Sequence, residues 1–317
     1  MADVAGLALP FFGVIFFGYF AGRIWRKDES GLAWLNIFVI YFALPALFFQ
    51  LISQTPIEEL ANGRFVFATT LATLSVLALG FAFAAFRTGG DVAQSTLQAL
   101  VGGYGNVGYM GPPLALVALG PQAAVPAALV FCFDVTLVFT LAPLMMALAG
   151  ADQERSRARL LLDIPRTVLL HPFILATLLG VAGAALEVRP PEPIDRLLAT
   201  LSNAAAPCAL FALGVTVACR PLKRVPGELP ILILMKLVVH PLVALALLTW
   251  IGGFARIWVE TAVLMASLPP AATIYVIATQ YNTYVQRASS AILIGTAISV
   301  LTVTGVLYLV THGLLPG

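Results

Sequence analysis

The stretch "GGYGNVGYMGPP", Gly102–Pro113, decides how this chain is read. It places five glycines, an asparagine and two adjacent prolines inside a strongly apolar segment. Relative to Ala, each Gly costs a helix about 1 kcal/mol and each interior Pro about 3 kcal/mol. Two half-helices flanking an unwound break at Gly105–Gly111 are therefore expected, in place of one continuous helix. Working outward, 60% of the 317 residues are hydrophobic and 10% are charged. Soluble domains carry roughly 25% charged residues, so the composition is that of an integral membrane protein.

A spanning helix needs about 20 apolar residues. Divided at charged and turn-rich segments, the chain gives ten spans, near 5–24, 33–53, 65–86, 94–119, 123–149, 167–187, 196–218, 229–252, 257–280 and 288–311. The run that begins "MADVAGLALPFF" has an Asp and no Lys or Arg ahead of it, so it reads as a retained first span and not a cleavable signal. The loops after spans 1, 3, 5, 7 and 9 hold 12 of the 17 Lys and Arg, the opposite loops hold Arg64, Arg189, Arg196 and Arg256, and Lys236 lies within a span. By the positive-inside rule, both termini face outside the cytoplasmic membrane and the longest loop lies in the cytoplasm.

The chain also repeats itself. "LPFFGVIFFGYFAG" (Leu9–Gly22) matches "HPFILATLLGVAGA" (His171–Ala184), aligning Pro10 with Pro172 and Gly18 with Gly180. The same register sets "ALPALFF" (Ala43–Phe49) on "AAPCALF" (Ala205–Phe211), and "GPPLA" (Gly111–Ala115) corresponds to "LPPAA" (Leu268–Ala272). Chance agreement in a biased composition is the plainer alternative. Read as a duplication, residues 1–150 form a first five-span repeat, 151–166 a cytoplasmic loop, and 167–317 a second repeat. Five is odd, so the second copy is inverted, the sequence sign of a secondary transporter with its site on discontinuous helices.

The ninth span then has its own break at Ser267–Pro270. Unwound backbone at membrane depth is tolerated where protein or a water-filled cavity satisfies it. Pro112, Pro113, Pro269 and Pro270 suit the first turn of a half-helix, where a missing N–H costs nothing. Half-helix N-termini carry partial positive charge and free N–H groups, which suit an anion. The bland alternative, in which the glycines serve close packing and the prolines are ordinary kinks, explains one break better than two matched ones.

The motifs "YFALPALFFQ" (Tyr41–Gln50), "GNVGYMGPPL" (Gly105–Leu114) and "LPPAATIYVIATQYN" (Leu268–Asn282) resemble the auxin efflux carrier (PIN-like) family, in its bacterial branch, over essentially the whole chain. More distantly the chain is similar to the bile acid/sodium symporter fold. The resemblance implies an all-α fold of two inverted five-helix repeats. Spans 1, 2, 6 and 7 would form a scaffold, and spans 3–5 and 8–10 a transport unit. Spans 4 and 9 would cross at their prolines with the substrate at the crossover, in a homodimer working by an elevator motion. Bacterial members are commonly labelled malonate or organic-acid permeases. Plant relatives carry a long loop between spans 5 and 6, which is short here.

Substrate-binding candidates at the two breaks are Gly105, Asn106, Tyr109, Gly111, Pro112, Pro113, Ser267, Pro269, Pro270 and Tyr275, with Gln280 and Asn282 weaker. The Asn106 amide can donate to a carboxylate, or it can cap unwound backbone. Asp134 is the one acid well inside a span, and intramembrane acids mark function by default. A proton or cation site, a partner for a buried base and a hydrogen-bonded neutral acid all remain open for it. Lys236 and His240, four residues apart, share a helix face. Lys236 is close enough to the cytoplasmic end to snorkel, and His240 is either packed or working. Glu260 is expected in solvent at the outer end of span 9.

These residues predict a carrier of a small organic anion, with Asp134, Lys236 and His240 as coupling or charge residues. A sodium-coupled organic anion symporter is the first alternative. An intramembrane enzyme or a transporter-like sensor comes after it: HExxH, GxSxG and DDxxD are absent from the sequence, as is a signalling domain. Cys132, Cys208 and Cys219 form no CxxC pair and read as small buried hydrophobes. No metal, cofactor or nucleic-acid partner is expected; the partners are the anion, membrane lipids and a second copy of the chain.

Overall fold

A computed structural model describes residues 2–25, 29–150, 169–170, 172–219 and 225–315. The described residues are helical, without a β-strand. In chain order come α1 (Ala2–Trp25), α2 (Ala33–Ser53), α3 (Gly63–Thr88), α4 (Val92–Gly103), α5 (Gly111–Leu119), α6 (Ala124–Leu148), α7 (Pro172–Ala185), α8 (Glu192–Cys219), α9 (Leu229–Ile251), α10 (Arg256–Ala266), α11 (Thr273–Gln280) and α12 (Val285–Thr311). The stretches holding α2, α3, α6, α8, α9 and α12 are each long and apolar enough to cross a membrane. The expected loop at 151–166 lies outside the described residues, as do most of the basic residues on its side.

Local chemistry accounts for the ends of these helices. The Asn62 and Asp91 side chains accept hydrogen bonds from the backbone N–H groups of Phe65 and Gln94, capping α3 and α4. Two helices contain a π turn, Val39–Ala43 in α2 and Met235–Val239 in α9. Each is followed by a proline, Pro45 and Pro241, which has no N–H to continue the α ladder. At both places the bonding shifts to a residue five back: Leu44 N–H reaches Val39 and His240 N–H reaches Met235.

Helix packing follows the small residues. Gly18 on α1 lets the Phe211 backbone of α8 approach so closely that a β-carbon there would stand 2.2 Å from the Phe211 carbonyl oxygen. Gly180 on α7 does the same against Ile52 and the Phe49 backbone of α2. Gly18 corresponds to Gly180, and Phe49 to Phe211, in the register noted in the sequence. α1 thus lies against α8 as α7 lies against α2. Small residues are what permit such contact in a membrane, where apolar surface gains little by leaving lipid.

The loops sort into two ends. At one end Glu228, ahead of α9, accepts hydrogen bonds from Tyr284 (3.0 Å) and Arg287 (3.1 Å) at the start of α12. Burial, reinforced by the Glu228 carboxylate, raises the Tyr284 hydroxyl above its ordinary range. At the other end Arg64 donates to the Ile251 carbonyl at 2.8 Å, bringing together the start of α3 and the end of α9.

Candidate functional site

The two predicted breaks are present and joined. Helical structure stops between α4 and α5 and again between α10 and α11. There, Gly105 and Pro270 form an isolated antiparallel bridge. Asn106 N–H donates to the Pro269 carbonyl at 2.8 Å, and Ala271 N–H donates to the Tyr104 carbonyl at 3.2 Å. Each break thereby satisfies part of the other's freed backbone, as burial in a membrane demands.

A cavity of about 580 Å³ opens against this junction. Its walls include Tyr104, Gly105, Asn106, Gly108 and Tyr109 from the first break and Ala271, Ala272, Thr273 and Tyr275 from the second. The lining also includes α2 (Asn36, Ile40, Tyr41) and α8 (Ala212, Leu213, Thr216), and α6 adds Phe131, Val135 and Phe139. Phe131 also stacks on Phe48 of α2, with ring centroids 5.1 Å apart. The volume falls within the range of small-molecule sites, and the lining has their usual mixture of aromatic surface with a few polar groups.

Asn106 is 3% exposed, and its side-chain amide makes no hydrogen bond among the described residues. Its backbone is held at both ends, N–H to Pro269 and carbonyl from Met110. The N–H groups of Gly108, Tyr109, Ala272 and Thr273 likewise donate no backbone hydrogen bond among the described residues. The cavity is thus lined by an amide and four main-chain donors, with no charged side chain among its walls. The arrangement can receive hydrogen-bond acceptors such as carboxylate oxygens.

A buried lysine stands just behind the wall. Lys236 is fully buried, and a β-carbon at Gly105 would lie 3.2 Å from its ammonium nitrogen. The ammonium donates to the Ala266 carbonyl and lies 3.0 Å from His240 Nδ1. His240 Nε2 is 3.3 Å from the Thr73 hydroxyl, which donates to Asp134 Oδ1 at 2.9 Å. All four side chains are at most 3% exposed. Lys236 therefore does not snorkel; the close approach of Gly105 gives its head a partner-lined place inside the protein. Glu260 also departs from expectation: it is buried and paired with Arg256 at 2.7 Å, one turn earlier on α10.

Of the sequence candidates, Gly105, Asn106, Tyr109 and Tyr275 line the cavity. Gly111, Pro112, Pro113, Pro269 and Pro270 are buried and shape the junction without lining it. The Ser267 hydroxyl is committed to the Leu264 carbonyl. Gln280 and Asn282 are exposed, and Asn282 belongs to a separate depression with Asp91 and Gln94. Sequence reasoning missed Asn36, Tyr41, Thr216 and Thr73. The proline ending each π turn was the available signal for Tyr41, since π turns occur frequently at functional sites.

Interrupted apolar helices meeting at an open cavity with a few polar groups form an arrangement suited to membrane transport. A profile of the Mem_trans family, described as membrane transport protein, matches residues 4–307, and the chain belongs to that family. It is 51% identical over 316 residues, covering 100% of this chain and 98% of the relative, to the "Putative malonate transporter" of Rhizobium meliloti (strain 1021). It is 26% identical over 311 residues to the "Uncharacterized transporter YfdV" of Escherichia coli (strain K12), covering 93% of each. A plant relative, "Auxin efflux carrier component 8" of Arabidopsis thaliana, is 29% identical over 150 residues, 45% of this chain and 41% of that one.

Proposed function

We propose that this membrane transporter is a secondary carrier of a small organic anion, a short dicarboxylate of the malonate class, bound where the two breaks meet. The observation that carries the reading is the buried Asn106 amide beside main-chain N–H groups, none with a hydrogen-bond partner among the described residues, with the Lys236 side-chain nitrogen behind Gly105. The name of the 51%-identical relative supports the substrate class. In this reading ten spans form two inverted repeats, and spans 4 and 9 (α4 with α5, α10 with α11) cross at the site. The reciprocal Gly18–Phe211 and Gly180–Phe49 contacts support the inversion.

Alternating access is of the elevator type. The scaffold is α1, α2, α7 and α8, working as a homodimer, and the remaining helices carry the site past it. The cavity supports this division, because its lining joins α2 and α8 to the two breaks, α6 and α11. The protein sits in the cytoplasmic membrane with both termini outside, a reading that the distribution of Lys and Arg supports. Asp134, Lys236 and His240 set the charge behind the site, so transport depends on pH.

The test is uptake of labelled malonate into proteoliposomes with the membrane potential clamped, since moving one charge is worth about 2.3 kcal/mol per 100 mV. Saturable uptake that varies with pH and survives replacement of sodium is the expected result. Asp134→Asn, which keeps the shape and removes the titration, is expected to flatten the pH profile while malonate still binds. Absence of malonate binding and uptake in the wild type refutes the substrate class, and strict sodium dependence refutes the coupling scheme.

A further inference from the structure

The four buried side chains behind the Gly105 wall come from three helices: Thr73 from α3, Asp134 from α6, and Lys236 with His240 from α9. Their hydrogen bonds have a direction that the donor inventory dictates. The Thr73 hydroxyl has one proton, and it goes to Asp134. Toward His240, Thr73 can therefore only accept, which puts a proton on His240 Nε2. The neutral ring then has its lone pair on Nδ1, facing the Lys236 ammonium, which has protons to donate. Every link points the same way, from Lys236 through His240 and Thr73 to Asp134.

We propose that Lys236, His240, Thr73 and Asp134 form a single-file proton relay in which Thr73 is the positioning residue that makes the separated charges one titrating unit. Resting on the reading of the site given above, this adds how its charge is set. In the charged form the relay ends in an ammonium and a carboxylate. One concerted shift converts it to a neutral form. An N–H bond breaks at Lys236 Nζ as one forms at His240 Nδ1. The Nε2–H bond breaks as a new O–H forms at Thr73, and the old Thr73 O–H breaks as one forms at Asp134 Oδ1. The products are an amine, an imidazole protonated on Nδ1, an unchanged hydroxyl and a carboxylic acid. No proton or electron is gained or lost.

The two forms differ in what they present to the cavity. An anion seated against Gly105 favours the charged form, whose ammonium lies just behind that residue. An empty site removes that preference, and low-dielectric surroundings favour the neutral form. The other titratable group near Asp134 is Tyr104, at the end of α4, which lies close enough to feel its charge. Removing the Thr73 hydroxyl uncouples the carboxylate from the imidazole, because no other described side chain bridges them.

His240 reports the state of the relay directly, since its proton sits on Nε2 in one form and on Nδ1 in the other. The sequence contains three histidines, so ring-15N-labelled protein in lipid nanodiscs gives few signals, and the His240 signals are assigned by their loss in His240→Gln. Because the internal shift conserves protons, its ratio is set by the coupling and not by pH; at one fixed pH the expected result is the same His240 tautomer ratio in the wild type and in Thr73→Ser. In Thr73→Val the ratio is expected to differ from both. Should Thr73→Val fail to fold, Asp134→Asn replaces it: changing the far end of the relay must alter the His240 ratio through Thr73. Identical His240 signals in wild type and Thr73→Val, or in wild type and Asp134→Asn, overturn the relay. The substrate class is judged separately by malonate uptake, in which Thr73→Val is expected to run roughly tenfold slower than Thr73→Ser, equivalent to about 1.4 kcal/mol. A wild type that ignores malonate refutes the substrate class and leaves the His240 comparison to decide the relay.

Discussion

Glycine serves opposite ends in two regions of this protein. Along α1 and α8, Gly18 and Gly214 let two continuous helices touch main chain to main chain; a β-carbon at Gly214 would stand 2.0 Å from the Ile15 carbonyl oxygen. At the junction of the two breaks, Gly105 and Gly108 line an open cavity, and the nearest atoms to a Gly105 β-carbon are the flexible end of Lys236. The first use removes space and the second preserves it. The lesson is that the same residue type serves close helix contact in one region and the wall of a cavity in another. What separates the cases is whether rigid main chain or a movable side chain stands opposite.

Substitutions can break that comparison or sharpen it. Gly214→Ala carries the largest expected effect: the Ile15 and Tyr19 backbones cannot yield, so folding stability is expected to fall by about 3 kcal/mol. The thermal unfolding midpoint of the detergent-solubilised protein reads this, and an unchanged midpoint would show that α1 and α8 can separate. Asn106→Ala comes next, with the opposite signature. Its amide makes no hydrogen bond among the described residues, so the unfolding midpoint is expected to stay while malonate affinity drops tenfold or more, matching roughly 1.5–3 kcal/mol for a hydrogen bond to a charged group. Normal binding in that variant removes the amide from the site.

Gly105→Ala tests the movable neighbour. Its β-carbon meets the Lys236 side chain at 3.1 and 3.2 Å, a contact relieved by a small shift of that chain. A loss of about 1 kcal/mol or less in stability is expected, with a larger change in transport rate. Damage equal to that of Gly214→Ala would mean the two glycines do the same job. The smallest effect on transport belongs to Asn282→Ala. Asn282 is exposed and outside the cavity, so uptake is expected to match wild type, while its left-handed φ of 46° favours Asn over Ala and a stability loss of under about 1 kcal/mol is expected.

The sequence was informative where chemistry is local. Gly105, Asn106 and the two proline pairs announced both breaks, because few other places in a membrane tolerate such residues. It was less so where position depends on a partner far along the chain. Lys236 lies near enough to a helix end to reach the interface, and only the gap left by Gly105 explains its burial. Glu260 is different: its partner Arg256 is only four residues away and was legible, but its burial depends on the helices packed around α10. Thr73 carries no motif; its role comes from α3 meeting α6 and α9. Asn36, Tyr41 and Thr216 line the cavity only because α2 and α8 meet the breaks there, and one-dimensional spacing does not encode that meeting.

The junction between the breaks has a further consequence, for how this kind of protein changes over generations. It is fastened by main-chain bonds, Asn106 N–H to Pro269 and Ala271 N–H to Tyr104, and a bond between backbones survives most replacements of the side chains beside it. Mutation can therefore vary the walls of the cavity, and with them the molecule that fits, while the fastening stays. A lineage built on such a joint can acquire a new cargo by ordinary point substitutions, without first passing through a form whose two halves have come apart.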